Sequence, residues 1–367
     1  MATVVAKIGS SSLTDEQGVI ASGAIEGLCA QVAALRAEGH RVVLVSSGAV
    51  AAGVSAFGLA ARPADLPTLQ ALSAAGQSRL MRVYDDVLAS HGLVGAQVLL
   101  VPHDFVNRKQ YLHARQTLTR LLELGAVPVV NENDAVADDE IRFGDNDRLA
   151  ALVAHLVNAD VLVLLTDTPG LFTADPRRDA SASLIEEVVA SDAALVAEVA
   201  EVGGAGTARG SGGMASKLAA ARIASWSGVR AVIAAAGRPH VLADAAAGER
   251  GVGTVFQPHQ RRLSARKLWI AFAVGSAGRI EVDDGARRAL LERRSSLLAA
   301  GVTRVSGRFD AGDAVEVAGA DGRVFAKGLV SLGHEVLASV AGRRTGDLAD
   351  PSLGLVIHAD DLVTLPG

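Results

Sequence analysis

Up to about residue 237, short runs rich in valine, leucine and isoleucine alternate with longer segments of helical periodicity. This alternation restricts the fold strongly, because helices that link successive parallel strands leave those strands buried on both faces. Runs with the composition of such strands are residues 4–8, 41–45, 97–101, 127–131, 161–166 and 230–234. Amphipathic helices are predicted over residues 22–38, 112–124 and 146–157. The sequence therefore predicts an α/β fold with an open, mainly parallel sheet that helices cover on both faces.

A different pattern begins after residue 257. Residues 258–262 are polar, and from residue 278 onward short alternating runs are separated by glycine turns. A helix is predicted over residues 284–293, inside this β-rich segment. Such a pattern is typical of a small barrel-like module. The predicted organisation is a first domain over residues 1–257, a linker over 258–277 and a second domain over 278–360.

Composition narrows the classes of protein that the chain fits. Hydrophobic residues make up 50% of the sequence and the net charge is −5, a combination that disfavours disorder. The single cysteine, Cys29, excludes a scaffold held by internal disulfides and indicates a reducing compartment. We expect a cytoplasmic protein without a membrane span, because neither a signal peptide nor an uncharged run of about 18 residues is evident. The nine histidines lack metal-ligand spacing, so no metal site is predicted.

The first two predicted strands end in motifs that suit anions. Residues 7–12 (KIGSSS) combine the cation of Lys7, a glycine that permits close backbone approach, and hydroxyl and amide donors. Residues 46–49 (SSGA) form a small-residue turn into a helix, whose free amide groups favour a carboxylate or a phosphate. Each motif, taken alone, is explained equally well as an ordinary strand-to-helix turn.

Two clusters rich in asparagine and aspartate follow the fourth predicted strand, at residues 131–134 (NEND) and 144–147 (GDND). They supply both acceptors and donors, which suits an amine, a metal ion or the organisation of nearby lysines. Asn, Asp and Gly also favour turns for local reasons, so either cluster alone is explained equally well by turn chemistry.

Two further segments are candidates for nucleotide binding. The fifth predicted strand runs into Thr166 and Asp167, where a base or ribose could lie, and residues 210–218 form a glycine-rich loop that opens into a helix. A flexible linker is the alternative for this loop. It is not a Walker A motif, because Ser216 rather than glycine precedes Lys217. It is not a dinucleotide fingerprint either, because no strand directly precedes the glycines.

Lysine usage adds a further indication. Only five of the 35 basic residues are lysines, and two of them, Lys7 and Lys217, lie in glycine-flanked motifs. Lysine is a compact point charge that can follow a migrating phosphoryl group, whereas arginine favours fixed bidentate pairing. The placement of the two lysines therefore favours phosphoryl transfer.

Together these motifs resemble the amino acid kinase family, and within it the kinases of free glutamate. The resemblance spans nearly the whole chain. It is carried by the order and spacing of KIGS at 7–10, SGA at 47–49, AAGQ at 74–77, NEND at 131–134, GDND at 144–147 and GGM at 212–214 with Lys217. Residues 279–313 look like part of the PUA domain that many such kinases carry. The resemblance implies the amino acid kinase fold followed by a small β-rich PUA domain.

The resemblance also implies a reaction and a set of site residues. The reaction would be ATP-dependent phosphorylation of the γ-carboxylate of L-glutamate, the first step of proline biosynthesis. Lys7 and Lys217 would be catalytic and flank the transferred phosphoryl group, with Asp147 holding both lysines. Glutamate would be bound by Ser47, Asp134 and Asn146. ATP would be bound by Lys7, Thr166, Asp167, Ser211, Gly212, Gly213, Met214, Ala215, Ser216 and Lys217. Mg²⁺ would bridge the ATP phosphates, proline would inhibit by feedback, and a homodimer or homotetramer is expected.

Two other functions stay open. The first is another carboxylate kinase of the same fold, acting on N-acetylglutamate or aspartate, although the 131–134 cluster and the PUA-like tail favour free glutamate by resemblance. The second is an RNA-binding or RNA-modifying protein, because PUA domains often bind RNA and the tail contains arginines that could meet phosphates. A solvated surface of mixed charge also explains those arginines.

Overall fold

The computed structural model describes residues 1–14, 19–105, 107–136, 146–174, 176, 179, 181–189, 213–259 and 262–365. The chain divides into two compact units, Met1–Arg262 and Leu263–Gly367. Within the described ranges, no helix combines the length and the apolar character needed to cross a lipid bilayer.

The first unit is built on an eight-stranded sheet. Its strands are β1 (Thr3–Ile8), β2 (Arg41–Val45), β3 (Gly95–Leu100), β4 (Val127–Glu132), β5 (Val161–Thr166), β6 (Glu187–Val188), β7 (Arg230–Ala235) and β8 (Thr254–Phe256). The order across the sheet is β3-β4-β2-β1-β5-β7-β8-β6, and neighbouring strands are parallel except for β7 and β8. The predicted mainly parallel sheet is confirmed, and the bounds predicted for β2 and β5 match the structure.

Helices cover the sheet of the first unit. They are α1 (Ser10–Leu13), α2 (Ser22–Ala37), α3 (Ala49–Ala56), α4 (Leu66–Ser90), α5 (Arg108–Glu123), α6 (Asn146–Leu156), α7 (Met214–Trp226) and α8 (Val241–Ala247). Helix α5 begins four residues before the predicted position 112, because the Asn107 side chain accepts hydrogen bonds from the Lys109 and Gln110 amides and caps the helix there. Helix α4 was not predicted; it spans 25 residues and is capped by the Asp65 side chain, which accepts a hydrogen bond from the Thr68 amide.

The two faces of the central strand β1 differ in chemistry. Val4, Ala6 and Ile8 pack into the hydrophobic core that α2 and α8 share with the sheet. Successive side chains of a strand point to opposite faces. Lys7 therefore lies on the other face, which α6 covers. Helices lie on both faces, as predicted, and they leave a buried lysine near the carboxyl end of β1.

Helices α3 and α4 pack so closely that their backbones are in direct contact. A Cβ atom at Gly76 would lie 1.9 Å from the carbonyl oxygen of Ala49, and one at Gly53 would lie 2.1 Å from that of Leu72. Neither position has room for a side chain. These two glycines therefore allow α4 to lie directly against α3, which starts immediately after Ser47 and Gly48.

The second unit carries a five-stranded sheet in the order β11-β9-β12-β13-β15 and a two-stranded sheet of β10 and β14. The strands are β9 (Gly278–Val282), β10 (Leu297–Leu298), β11 (Val302–Gly307), β12 (Ala314–Ala318), β13 (Val324–Leu329), β14 (Leu355–Ile357) and β15 (Leu362–Thr364). Its helices are α9 (Ala265–Leu268), α10 (Asp284–Arg293) and α11 (His334–Val340), and the short π-helix Trp269–Ala273 follows α9. The β-rich character and the bounds of α10 are as predicted.

Candidate active site

The candidate active site lies where the central parallel strands of the first unit end. Lys7, Glu132 and Thr166 occupy the last two positions of β1, β4 and β5, and Ser47 follows β2 by two residues. These strands are neighbours in the order β4-β2-β1-β5. Parallel strands end at the same edge of a sheet, and ligands of open α/β sheets bind beyond that edge. The sheet topology therefore brings the predicted motifs together.

Asp147 is the centre of the predicted catalytic group. It lies in the first turn of α6 and is completely buried. The Nζ atom of Lys7 lies 2.5 Å from Asp147 Oδ1, and the Nζ atom of Lys217 lies 3.3 Å from Asp147 Oδ2. Ser216 donates its hydroxyl to the same Oδ2 at 2.6 Å. The structure thus brings Lys7, Asp147 and Lys217 together from β1, α6 and α7.

The surroundings of Asp147 fix its charge. Burial alone would raise its pKa, but the charges of Lys7 and Lys217 and hydrogen bonds from Lys7 and Ser216 lower the pKa to about 2. The carboxylate is therefore ionised throughout the neutral range. Among the described residues, the Asp147 carboxylate contacts both ammonium groups and so holds two cations close together at this edge of the sheet.

A second cluster joins two of the three residues predicted to bind glutamate, Ser47 and Asn146. Asn146 donates from Nδ2 to Ser47 Oγ at 3.0 Å and to Asn131 Oδ1 at 3.1 Å. Its Oδ1 accepts from the Glu132 amide at 3.3 Å. The Ser47 oxygen acts as an acceptor in this network, so the Ser47 hydroxyl hydrogen is left to donate to another group. A carboxylate is a suitable acceptor for that hydrogen.

The two carboxylate oxygens of Asp134 differ in their hydrogen bonding. Its Oδ2 accepts from the Ser73 hydroxyl at 3.0 Å, whereas its buried Oδ1 has no hydrogen-bond partner among the described residues. Burial raises the pKa of Asp134, while the hydrogen bond from Ser73 and the charge of Arg62 act in the opposite direction. A buried carboxylate oxygen without a partner is costly and favours a ligand that carries a donor, such as an ammonium group.

The residues predicted to bind ATP are only partly described. Thr166 donates its hydroxyl to Asp167 Oδ1 at 3.0 Å, at the end of β5. Gly213 is the N-cap of α7, and Met214, Ala215, Ser216 and Lys217 form the start of that helix. Ser211 and Gly212 lie outside the described residues. Within the described part of the chain, hydrogen bonds connect Ser216 and Lys217, but not Thr166 or Asp167, to the Asp147 cluster.

Sequence reasoning missed three polar residues on the buried face of α4. Ser73 binds Asp134, Gln77 accepts from Asn131 Nδ2 at 2.8 Å, and the Tyr84 hydroxyl lies 2.9 Å from Ser46 Oγ. The signal that could have found them is a set of polar residues at helical spacing inside an otherwise apolar stripe, because burial of such groups requires partners. Gln77 belongs to the AAGQ motif, but no role was predicted for it.

Comparison with known proteins gives a consistent result. Residues 2–235 match the model of the amino acid kinase family, and residues 278–350 match that of the PUA domain. Among curated proteins, the glutamate 5-kinase of Nocardia farcinica is 48% identical over 98% of this chain and 96% of its own length. Those of Mycobacterium tuberculosis and Pelobacter propionicus are 47% and 45% identical, each over 99% of this chain and over 94% and 97% of their own lengths.

A solved structure supports the fold independently of close sequence similarity. Carbamate kinase from Giardia lamblia bound to AMP-PNP superposes with a TM-score of 0.50 at 16% identity, covering 70% of this chain and 99% of that one. Fold, domain content and full-length similarity thus agree. The chain belongs to the amino acid kinase family and, within it, to the glutamate 5-kinases with a C-terminal PUA domain.

Proposed function

We propose that this chain transfers the γ-phosphoryl group of ATP to the γ-carboxylate of L-glutamate, forming γ-glutamyl phosphate and ADP. This is the first reaction of proline biosynthesis. The observation that carries the proposal is the buried Lys7–Asp147–Lys217 cluster at the carboxyl edge of the sheet. Similarity of 45–48% identity to proteins named glutamate 5-kinase supports the choice of substrate.

The reaction needs no general base. An oxygen of the γ-carboxylate attacks the γ-phosphorus, a new P–O bond forms, and the bond to the β-phosphate oxygen breaks as ADP leaves. A free glutamate side chain has a pKa of about 4.3, so the nucleophile is already ionised near neutral pH. The protein must therefore position two anions against each other and neutralise the charge that develops between them.

Lys7 and Lys217 supply that neutralising charge. Their ammonium groups are buried, so their interaction with a phosphoryl group is screened little by water. Ionised Asp147 binds both groups and limits how far each moves. Gly9 adds space beside Lys7, because a Cβ at this position would lie 3.5 Å from Lys7 Nζ. A phosphate oxygen can approach the backbone there.

The second cluster suits the amino acid. Asp134 presents a carboxylate oxygen, Oδ1, that has no hydrogen-bond partner in the described part of the chain and would pair with the α-ammonium group of glutamate. Ser47, whose oxygen is occupied by Asn146, would donate its hydroxyl to a glutamate carboxylate. Asn146 would act mainly through Ser47, because both of its amide hydrogens already have acceptors.

The donor set also fits the nucleotide. Two buried ammonium groups and a glycine turn suit phosphates, while the described residues contain no cluster of three His, Cys, Asp or Glu side chains that would hold a metal by themselves. Mg²⁺ keeps much of its water and takes phosphate oxygens readily, so it would be held chiefly by ATP, whose negative charge it would reduce. Thr166, Asp167 and the start of α7 would line the remainder of the ATP site.

The test is ATP-dependent formation of γ-glutamyl hydroxamate from L-glutamate, Mg²⁺ and hydroxylamine, beside parallel reactions with aspartate and N-acetylglutamate. We expect product with glutamate and much less with N-acetylglutamate, because acetylation removes the ammonium group that Asp134 would bind. Absence of product with glutamate, or a preference for N-acetylglutamate, would contradict the proposal. Repeating the assay with proline tests feedback inhibition.

Several expectations stay predictions beside this proposal. They are inhibition by proline, assembly into a homodimer or homotetramer, a cytoplasmic location and RNA binding by the PUA domain. Size-exclusion chromatography with light scattering tests the assembly, and a salt-dependent electrophoretic shift with RNA tests the last.

A further inference from the structure

Helix α4 carries two buried polar side chains on the face that points to the glutamate cluster, by which we mean Ser47, Asp134 and Asn146 together with Asn131. Ser73 and Gln77 are 4% and 8% exposed and lie four residues apart, so they are neighbours on one side of the helix. Buried polar groups are costly without partners. Asp134, the partner of Ser73, and Asn131, one of the two partners of Gln77, belong to the candidate active site rather than to α4 itself.

Ser73 fixes the orientation of Asp134. Its hydroxyl donates to Asp134 Oδ2 at 3.0 Å across 61 residues of sequence, and this leaves Oδ1 as the oxygen available to a ligand. Without the hydrogen bond, the carboxylate is free to rotate and to present either oxygen in several directions. The same bond stabilises the ionised form of Asp134, which burial disfavours.

Gln77 fixes the orientation of the second set of side chains. Its Oε1 accepts from Asn131 Nδ2 at 2.8 Å, and its Nε2 donates to Gln97 Oε1 at 3.3 Å. Asn131 in turn accepts from Asn146, which donates its other hydrogen to Ser47. Each bond determines which end of the next amide is the donor. A continuous chain of hydrogen bonds therefore runs from α4 to the Ser47 hydroxyl.

Close packing of α4 against α3 holds these hydrogen-bonding residues in position. Gly76 lies between the two polar residues in sequence and leaves no space between α4 and the Ala49 carbonyl. Ala49 begins α3, two residues after Ser47. Helix α4 is thus bound to the glutamate cluster at three places, namely through Ser73, through Gln77 and through the backbone beside Ser47.

We propose that Ser73 and Gln77 are positioning residues of the glutamate site: Ser73 directs Asp134 toward the α-ammonium group, and Gln77 orients the Asn131–Asn146–Ser47 chain. Neither residue touches the phosphoryl group or the lysine cluster in this assignment. The inference rests on the proposed glutamate kinase activity, and its effects are specific to glutamate rather than to ATP.

The first test compares Ser73→Ala with Ser73→Thr and Ser78→Ala. Ser78 lies on the same helix but is exposed and donates only to the Ala75 carbonyl, so it controls for the change in chemistry. We expect Ser73→Ala to raise the KM for glutamate about tenfold, as expected for loss of one hydrogen bond to a charged group. The KM for ATP and kcat should change little. Ser73→Thr, which keeps the hydroxyl, should restore most of the affinity for glutamate.

A pH profile separates positioning from a structural effect. The acid limb of kcat/KM for glutamate reports ionisations of the free enzyme and substrate. Among the described residues, Arg62 is the charged group whose field acts on Asp134, and Ser73 is the neutral donor. Removing that donor disfavours the ionised form, so the acid limb of Ser73→Ala should move to higher pH. The acid limbs of Ser73→Thr and Ser78→Ala should not move.

The second test uses Gln77→Met and Gln77→Glu. Methionine fills similar space without accepting from Asn131, whereas glutamate keeps an acceptor there. We expect the KM for glutamate to rise in Gln77→Met and to be partly restored in Gln77→Glu. Thermal unfolding of each variant shows whether it is folded.

The outcomes distinguish this inference from the function on which it rests. If the unsubstituted protein forms no γ-glutamyl hydroxamate, the proposed function fails. If that protein is active, but Ser73→Ala and Gln77→Met keep its KM for glutamate and Ser73→Ala keeps its acid limb, the positioning roles are wrong. A fall in melting temperature and in kcat with unchanged KM would assign both residues a structural role instead, which also overturns the proposal.

Discussion

The Nζ atom of Lys7 lies 2.5 Å from Oδ1 of Asp147, and both side chains are almost completely buried. A buried carboxylate is strongly destabilising unless cations and hydrogen bonds compensate its lost hydration. Lys217 and Ser216 complete that compensation on the other oxygen. The arrangement couples the stability of the fold to the same charges that would act on the phosphoryl group.

This coupling predicts the acid sensitivity of the protein. The pKa of Asp147 lies at about 2 in the folded state, below the ordinary value of 3.8. A pKa that folding lowers contributes stability above the unfolded value, and the contribution is lost as the pH falls through the folded value. We expect about 2 kcal/mol of the free energy of unfolding to disappear between about pH 5 and about pH 2.

Urea unfolding at a series of pH values checks this, with Asp147→Asn as the comparison. The variant should be less stable at pH 7 by about 3–5 kcal/mol, because both buried ammonium groups lose the carboxylate that they share. The difference from the unsubstituted protein should narrow as the pH approaches 2. A constant difference would contradict the assignment. Asp86→Asn, at an exposed position of α4, is the control.

Replacement of Lys217 tests charge neutralisation in the transition state. We expect Lys217→Ala to lower kcat about 10²–10³-fold, the range seen for loss of one electrostatic stabiliser, with a much smaller change in the KM for glutamate. Initial-rate kinetics in both substrates check this. Lys109→Ala removes an exposed lysine of α5 and should leave both constants unchanged. An unchanged kcat in Lys217→Ala would remove the residue from the catalytic group.

Asp134 should show a conflict between stability and function. Burial raises its pKa, so the ionised form at pH 7 costs stability that is recovered only when a ligand binds. We expect Asp134→Asn to stabilise the free protein by about 1 kcal/mol and to raise the KM for glutamate more than tenfold, because asparagine carries no charge for the ammonium group. Urea unfolding and glutamate titration measure the two effects. A destabilised variant that keeps the KM of the unsubstituted protein would refute the prediction.

Gly76 and Gly27 form a matched pair of helical glycines. A Cβ at Gly76 would lie 1.9 Å from a backbone oxygen, whereas one at the exposed Gly27 in α2 would meet nothing within 4 Å. We expect Gly76→Ala to destabilise the protein by about 1–3 kcal/mol through overpacking, and to weaken glutamate binding by displacing α4. Gly27→Ala should stabilise the protein by about 0.5–1 kcal/mol, because alanine favours helix. The same urea experiment compares both variants, and equal stabilities would show that the close approach of α3 and α4 is not required.

Strands β1 to β5 and β7 were predictable because burial on both faces selects continuous apolar runs, whereas the short strands β6 and β8 were not predicted. Strands β2 and β5 were predicted with their observed bounds for this reason, and the sheet edge then followed from strand direction. Helix α4 was harder to predict, because Ser73, Gly76 and Gln77 interrupt the periodic apolar residues by which amphipathic helices are recognised. Strand β8 runs antiparallel to β7, so it departs from the alternation of parallel strands and helices on which the prediction was based.

The site was predictable in part. The resemblance named Lys7, Asp147 and Lys217, but composition and spacing alone left their motifs open to an ordinary turn or, for the loop before Lys217, to a flexible linker. The hydrogen bond from Ser73 to Asp134 spans 61 residues and depends on how α4 packs, which no local pattern encodes. The order in which Gln77, Asn131, Asn146 and Ser47 donate and accept likewise emerges only from their arrangement in space.

The salt bridges of Asp147 also affect the conformational entropy of the Lys7 and Lys217 side chains. A lysine side chain restrained in one rotamer loses about 2 kcal/mol of conformational free energy. In this chain the restraint on Lys7 and Lys217 comes from Asp147, a buried residue of the fold itself, so it is imposed during folding. The ordering cost of the two side chains thus falls on the native state once, and successive catalytic cycles begin with the ammonium groups already confined.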